Sequence, residues 1–168
     1  MGKLGLAKFR KKSPIGRFFG RIRYMKIAIC ASLDFTNEII DTARQLIEQG
    51  YEVIMPKTSE MILNKEVTLE QIMKEKENGE ISNRAIRQDS IRYYFEIIKG
   101  VDAILVLNFE KKEIKDYIGG NVFLEMGFAH VLNKKVFLLN NIPDVLYKDE
   151  ILAMQPIILN GDLSKITH

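Results

Sequence analysis

Residues 103–107 read AILVL, the most apolar run in the chain, and this run decides the fold. A short segment that is apolar at every position is typical of a β-strand covered on both faces, as in a parallel sheet. Residues 26–32 (KIAICAS) form a second run of this kind. Shorter apolar runs follow at residues 52–55, 136–139 and 156–159. The sequence therefore predicts five strands.

Segments with the apolar spacing of a helix separate these strands. They lie at residues 36–49, 69–77, 83–99, 121–132 and 144–154. Strands and helices that alternate at this length form βαβ crossovers and hence a parallel sheet. We predict one doubly wound α/β domain of the flavodoxin or Rossmann type, with strand order 2-1-3-4-5. Ligands of such sheets bind beyond the carboxyl ends of the strands, where the order reverses.

Two connections are rich in charge. Residues 57–79 are only weakly periodic, so we expect a mobile excursion there that holds one short helix at 69–77. Residues 109–118 are expected to form a charged loop after the third strand.

The charges divide the chain into two parts. Residues 1–24 contain eight Lys and Arg side chains and no acid, whereas residues 25–168 contain 17 basic and 22 acidic side chains. We expect a disordered basic extension at 1–24, followed by the α/β domain at 25–168. The acidic balance of that domain argues against a nucleic-acid-binding face. Contact of the extension with a membrane or nucleic acid is an alternative, and Met25 as the biological start is another.

Several protein classes are disfavoured by the composition. Cys30 is the only cysteine, and a buried thiol suits a reducing cytoplasm. No apolar segment approaches 18 residues and no apolar core follows the basic amino terminus, so we predict neither a membrane span nor a secretory signal. The sequence shows no metal-ligand spacing, P-loop or GxGxxG motif, so we predict neither a metal nor a cofactor.

The most informative segment is YIGGNVFLEMGFA at residues 117–129. Gly119, Gly120 and Asn121 lead into a helix whose first backbone N–H groups are free to face an anion. Glu125 follows within the first two turns, on the expected cleft side. The same residues also permit a structural interpretation, in which the glycines make a turn and Glu125 interacts with the helix dipole.

Polar side chains follow three of the predicted strands. Ser32, Asn108 and Asn140 come directly after the first, third and fourth strands. Because parallel strands end at one edge of the sheet, we expect these residues around one substrate-binding cleft. Each Asn could instead simply form a turn.

The order of these segments resembles the nucleoside 2-deoxyribosyltransferase superfamily, which includes the 2′-deoxynucleoside 5′-monophosphate N-glycosidases. The similarity covers nearly all of residues 25–164. It is carried by ICAS ending in Ser32, an acid in the helix before the third strand, the strand DAILVLN, the glycine-bearing loop that leads into EMGFA (125–129), and the strand KKVFLLN.

This resemblance implies cleavage or transfer of the N-glycosidic bond of a (deoxy)nucleoside or nucleoside 5′-monophosphate. Glu125 matches the nucleophile of the family. Asp89 matches the acid that assists departure of the base, with Glu96 as a rival. The family commonly has Asp or Ser six residues before the nucleophile. This chain has Gly119 there, so Asn121 or Ser32 is expected to supply the missing contact.

Two other functions remain open. A non-catalytic nucleotide sensor would keep the fold and the glycine-bearing helix start while lacking the catalytic acids. A cytokinin-type nucleotide phosphoribohydrolase is suggested by GGNVFLE at residues 119–125, although the glycine-rich first loop of that family is missing.

The sequence also leads us to expect that copies of this chain form an oligomer. The family resemblance implies oligomers in which a neighbouring subunit helps to close the cleft. We predict a homodimer or larger homo-oligomer through the helix at residues 83–99, whose apolar face is wider than one sheet would cover. The residues of that face are Ile91, Tyr93, Tyr94, Phe95, Ile97 and Ile98.

Overall fold

A computed structural model describes residues 24–167, which contain one five-stranded sheet. All neighbouring strands are parallel and the order is β2-β1-β3-β4-β5, which confirms the predicted fold class and topology. The strands are β1 (Lys26–Ala31), β2 (Glu52–Ile54), β3 (Ala103–Leu107), β4 (Lys135–Leu138) and β5 (Ile157–Ile158). The predicted basic extension, up to residue 23, lies outside the described residues.

Helices connect consecutive strands. They are α1 (Thr36–Glu48), α2 (Lys57–Leu63), α3 (Leu69–Glu77), α4 (Ile81–Arg87), α5 (Ser90–Lys99), α6 (Gly120–Val131) and α7 (Lys148–Ala153). A short 3₁₀ turn, Leu33–Phe35, precedes α1. Within residues 24–167, no helix is both long and apolar enough to cross a membrane.

Two predicted helices differ from the structure, and one helix was not predicted. The single helix predicted at 83–99 is wrong, because Asp89 has a φ of 44° and separates α4 from α5. An L-residue in this left-handed region cannot continue a right-handed helix. Helix α2 lies in the segment expected to be an excursion, and α7 begins at Lys148 rather than at residue 144.

The sheet separates two apolar layers. Ile27 and Ile29 of β1 face the layer that contains α1, whereas Ala28 and Cys30 face the layer that contains α5 and α6. This alternation follows from the two-residue period of a strand. Burying a large aliphatic side chain stabilises a fold by about 1.5–3 kcal/mol, and all five residues of β3 are buried. The two central strands therefore hold both layers together.

The register brings the ends of β1 and β3 to the same level. Ala31 is paired with Leu107, so Ser32 and Asn108 emerge side by side at the carboxyl edge. Asn108 is fully buried. Its amide nitrogen donates to the carbonyl of Asn141 at 2.7 Å and to that of Asp116 at 3.3 Å, while its side-chain oxygen accepts the N–H of Asn140 at 2.9 Å. Asn108 thus joins the loops that follow β3 and β4.

Candidate functional site

Glu125 lies in the second turn of α6, on the side that packs against β1. Its carboxylate accepts a hydrogen bond from the thiol of Cys30, and only a minor part of the residue is exposed. Removal from water disfavours the charged form of a carboxylic acid. Burial therefore raises the pKa of Glu125 to about 8, although the thiol hydrogen bond acts in the opposite direction.

Cys30 and Tyr94 complete the buried surroundings of Glu125. Cys30 is fully buried, and its burial together with the charge of Glu125 raises the pKa of the thiol well above its usual value. The Tyr94 hydroxyl donates to the carbonyl of Ile29. Burial, followed by the charges of Cys30 and Glu125, raises the pKa of Tyr94 as well. Three titratable groups from β1, α5 and α6 thus share a region that favours their neutral forms.

A second acid, Glu60, lies at the same edge of the sheet, in α2 after β2. Its carboxylate accepts the backbone N–H of Met55, the first residue beyond β2. Burial, opposed by this hydrogen bond and reinforced by the charge of Glu66, raises the pKa of Glu60. Glu60 was not predicted from the sequence because it lies in the segment expected to be an excursion. Its position just beyond a strand was the available signal.

The ammonium group of Lys111 connects the loops that follow β1 and β3. Its Nζ atom lies 2.8 Å from Ser32 Oγ and 2.5 Å from Asp34 Oδ2. Lys76 of α3 pairs with the other oxygen of Asp34. Burial would raise the pKa of Asp34, but hydrogen bonds from Lys111 and Lys76 outweigh it and lower that pKa. The cluster therefore holds two ammonium groups and one carboxylate.

The two glycines before Glu125 are not required by backbone conformation. Gly119 caps α6 with a φ of −84°, and Gly120 is the first helical residue. A Cβ atom on Gly119 would lie 3.3 Å from Tyr117 Cε1, whereas one on Gly120 would meet nothing within 4 Å. Asn121 is exposed, and no side chain caps the helix. The first N–H groups of α6 therefore remain open to solvent or to a ligand.

The three polar residues that follow strands, Asn108, Asn140 and Ser32, form different hydrogen bonds. Asn140 donates through its side-chain amide to the carbonyl of Asn108 at 3.1 Å, and the amide and carbonyl groups of the Asn108 side chain are bonded to backbone. Both residues therefore fix the shape of the cleft edge. The hydroxyl of Ser32 is bonded to Lys111, so Ser32 belongs to the cation cluster.

Asp89 is not brought together with Glu125. Its carboxylate is 64% exposed and forms an ion pair with Arg92 at 3.0 Å, and the rival Glu96 pairs with Lys99 at 2.9 Å. Neither acid contributes to the electrostatic surroundings of Glu125. Across residues 24–167, no group of three or more His, Cys, Asp or Glu side chains is arranged to hold a metal ion.

The raised pKa of Glu125 predicts how the free energy of unfolding depends on pH. The folded state binds this proton more tightly than the unfolded chain, so the free energy of unfolding falls as pH rises from about 4.5 to about 8. At about 1.4 kcal/mol per pH unit the full shift corresponds to about 5 kcal/mol. Glu125→Gln removes the titration, so its stability relative to the parent should increase between pH 5 and about pH 8 and level off above that pH.

Urea denaturation at pH 5, 7 and 9 measures this difference. Glu110→Gln, at an exposed glutamate of the loop after β3, is the matched control and should show no such trend. A Glu125→Gln difference that stays constant across these pH values would show that Glu125 is not titrating in a desolvated site.

Comparison of the chain with protein-family models, with curated proteins and with solved structures found no match. The chain's own strands and helices therefore define the fold, and the residues at the strand ends are the evidence for its function.

Proposed function

We propose that this protein cleaves or transfers the N-glycosidic bond of a (deoxy)nucleoside or nucleoside 5′-monophosphate, with Glu125 as the nucleophile. The observation that carries the proposal is a single desolvated carboxylate on α6, next to β1, at the edge where ligands bind in such sheets. A structural carboxylate at a helix start would be expected to remain ionised and solvated. Glu125 is instead largely removed from water, next to the Cys30 thiol and within electrostatic range of Tyr94.

The reaction follows from the surroundings of Glu125. Its ionised carboxylate attacks C1′ as the bond from C1′ to the base nitrogen breaks, and the base leaves with the electron pair and takes up a proton. The product is a glycosyl ester on Glu125, which water or a second base then opens. In the protein without substrate the pKa of Glu125 is about 8. Because the attack needs the ionised carboxylate, kcat/KM should rise with pH up to that value.

The cation cluster favours the phosphorylated substrate over the plain nucleoside. Ser32 lies two residues beyond Cys30, which is about 6.6 Å along an extended chain. Lys111 is therefore within the reach of a ribose ring and its 5′ substituent when C1′ is at Glu125. An ammonium group and a hydroxyl at 2.8 Å from each other suit the oxygens of a phosphate.

Replacement of the nucleophile is the direct test. Glu125→Ala should reduce release of free base from nucleosides and nucleoside 5′-monophosphates by at least about 10³-fold, because the covalent route is lost. Liquid chromatography of the free base measures the effect. Glu110→Ala, at an exposed loop glutamate, should keep the parental rate.

Two results would contradict the enzymatic proposal. Undiminished turnover by Glu125→Ala would remove Glu125 from the chemistry. Thermal stabilisation of the parent by nucleotides without any release of base would favour the nucleotide sensor. The neutral form that burial favours for Glu125 is compatible with such a sensor, so the assay must follow both quantities.

Lys111→Met tests the preference for a phosphate. The methionine keeps most of the side-chain volume and removes the charge, so kcat/KM for a nucleoside 5′-monophosphate should fall by about 10–100-fold. The value for the corresponding nucleoside should change by less than about threefold. Lys115→Met, at an exposed residue of the same loop, is the control. Equal losses on both substrates would place Lys111 in loop structure rather than in phosphate binding.

We propose in addition that the chain forms a homodimer through α5. Tyr94 and Ile98 are buried in the core, whereas Ile91 remains 55% exposed and Tyr93 37% exposed. Light scattering at micromolar concentration should give at least twice the chain mass of 19.4 kDa. Ile91→Glu should shift the protein to monomer, whereas Ile47→Glu on α1, across the sheet, should not. A monomeric parent with full activity would contradict this assembly.

A further inference from the structure

The cation cluster at the carboxyl edge of the sheet needs more than Lys111 to attract a phosphate. Lys111 Nζ lies 2.5 Å from Asp34 Oδ2, so the carboxylate of Asp34 neutralises the charge of Lys111 at close range. A dianionic phosphate is attracted only weakly by a pair whose charges cancel. Lys76 pairs with the other oxygen of Asp34 and leaves one positive charge in excess. The attraction of the cluster for an anion therefore depends on Lys76.

Helix α3 brings Lys76 to the loop that follows β1. Ile72, one turn earlier on the same face of α3, is fully buried. Glu75, the residue before Lys76, accepts two hydrogen bonds from the guanidinium group of Arg84 in α4. Lys76 itself reaches Asp34, which is 42 positions away in the sequence. The ammonium group of Lys76 is therefore placed by the packing of α3 and by ion pairs on both sides of the helix.

Hydrogen-bond donors of the cluster remain unused in the described part of the chain. An ammonium group has three N–H groups. Lys76 directs one of them to Asp34. Lys111 directs one to Asp34 and one to Ser32 Oγ. The hydroxyl oxygen of Ser32 also accepts the N–H of Asp34, so its own proton is free to be donated. Three ammonium N–H groups and one hydroxyl are thus left for the three terminal oxygens of a phosphate monoester.

The cluster lies where ligands of parallel sheets bind, and it is open to solvent. Ser32 directly follows β1, and Lys111 lies in the loop after the neighbouring strand β3. The side chain of Lys76 is 39% exposed and that of Lys111 is 17% exposed. Lys111 is thus the inner and Lys76 the outer of the two cations.

We propose that Lys76 is a second phosphate-binding residue, which together with Lys111 selects nucleoside 5′-monophosphates over nucleosides. This inference rests on the proposed function for the identity of the substrate. Asp34 positions both ammonium groups next to the hydroxyl of Ser32. The phosphate is held between α3 and the loop after β3, so the connection between β2 and α5 supplies one side of the binding cleft.

Lys76→Met separates recognition of the phosphate from a structural ion pair. The methionine keeps most of the side-chain volume and removes the charge. For the nucleoside 5′-monophosphate that the parent cleaves fastest, kcat/KM should fall by about 10-fold or more, through a higher KM at nearly constant kcat. For the corresponding nucleoside it should change by less than about threefold. Lys74→Met, on the same helix at a lysine that pairs with Glu70, is the matched control and should change neither value.

Binding of ribose 5-phosphate tests the same site without any release of base. Calorimetric titration of Lys76→Met should give a Kd about 10-fold higher than that of the parent, because one charged donor is lost. Lys74→Met should stay within about threefold of the parent. Should Lys76→Met fail to fold, Lys76→Gln is measured in the same way.

The outcomes separate this inference from the proposed function. Binding of ribose 5-phosphate that depends on Lys76, in a parent that releases no base, would support the phosphate site and overturn the proposed function. Release of base by a parent whose Lys76→Met variant keeps its kcat/KM on the monophosphate would overturn this inference alone. Equal losses on the monophosphate and on the nucleoside would show that Lys76 only holds α3 in place, and they would overturn the inference as well.

Discussion

The parallel pairing of β1 with β3 is the constraint on which the whole site depends. Five consecutive residue pairs, from Ile27 with Ala103 to Ala31 with Leu107, fix the two strands relative to each other. A slip by one residue would turn every side chain of β1 to the opposite layer. Cys30 would then face α1 and would no longer lie next to Glu125. The core packing that fixes this register is therefore also what positions the candidate nucleophile.

Burial of Glu125 opposes stability and has to be offset by the core. Ionising a desolvated carboxylate is unfavourable, yet α6 is held against the sheet by Val122, Met126 and Ala129, which are all buried. These residues lie three or four positions apart and share the inner face of the helix. Glu125 is one residue from Met126, at the margin of that face. The helix can thus bury an acid next to β1 without losing its apolar contacts, a conflict between stability and function that is common at active sites.

The fold could be predicted from local pattern, and Glu125 could be singled out as a candidate, whereas the side chains around Glu125 could not be predicted. Apolar runs give strands, and their alternation with helices gives the topology. Glu125 was singled out because it follows a glycine-bearing helix start and because EMGFA at residues 125–129 resembles a family motif. Its contact with Cys30 joins residues 95 positions apart and depends on the rotation of α6. Lys111 was missed since its place at the site arises from a tertiary contact with Ser32, 79 positions away in the sequence.

The charge balance around Glu125 indicates how such a site would act on a substrate. In the described part of the chain no cation is paired with this carboxylate, and the ammonium groups of Lys76 and Lys111 are bound to Asp34. Under the proposed function, the counter-charge of ionised Glu125 is the positive charge that develops at C1′ as the base leaves. An interaction absent from the free protein and strongest at the transition state accelerates the reaction without tightening substrate binding. A lysine beside Glu125 would keep it ionised at neutral pH, but it would also satisfy the carboxylate before the reaction began.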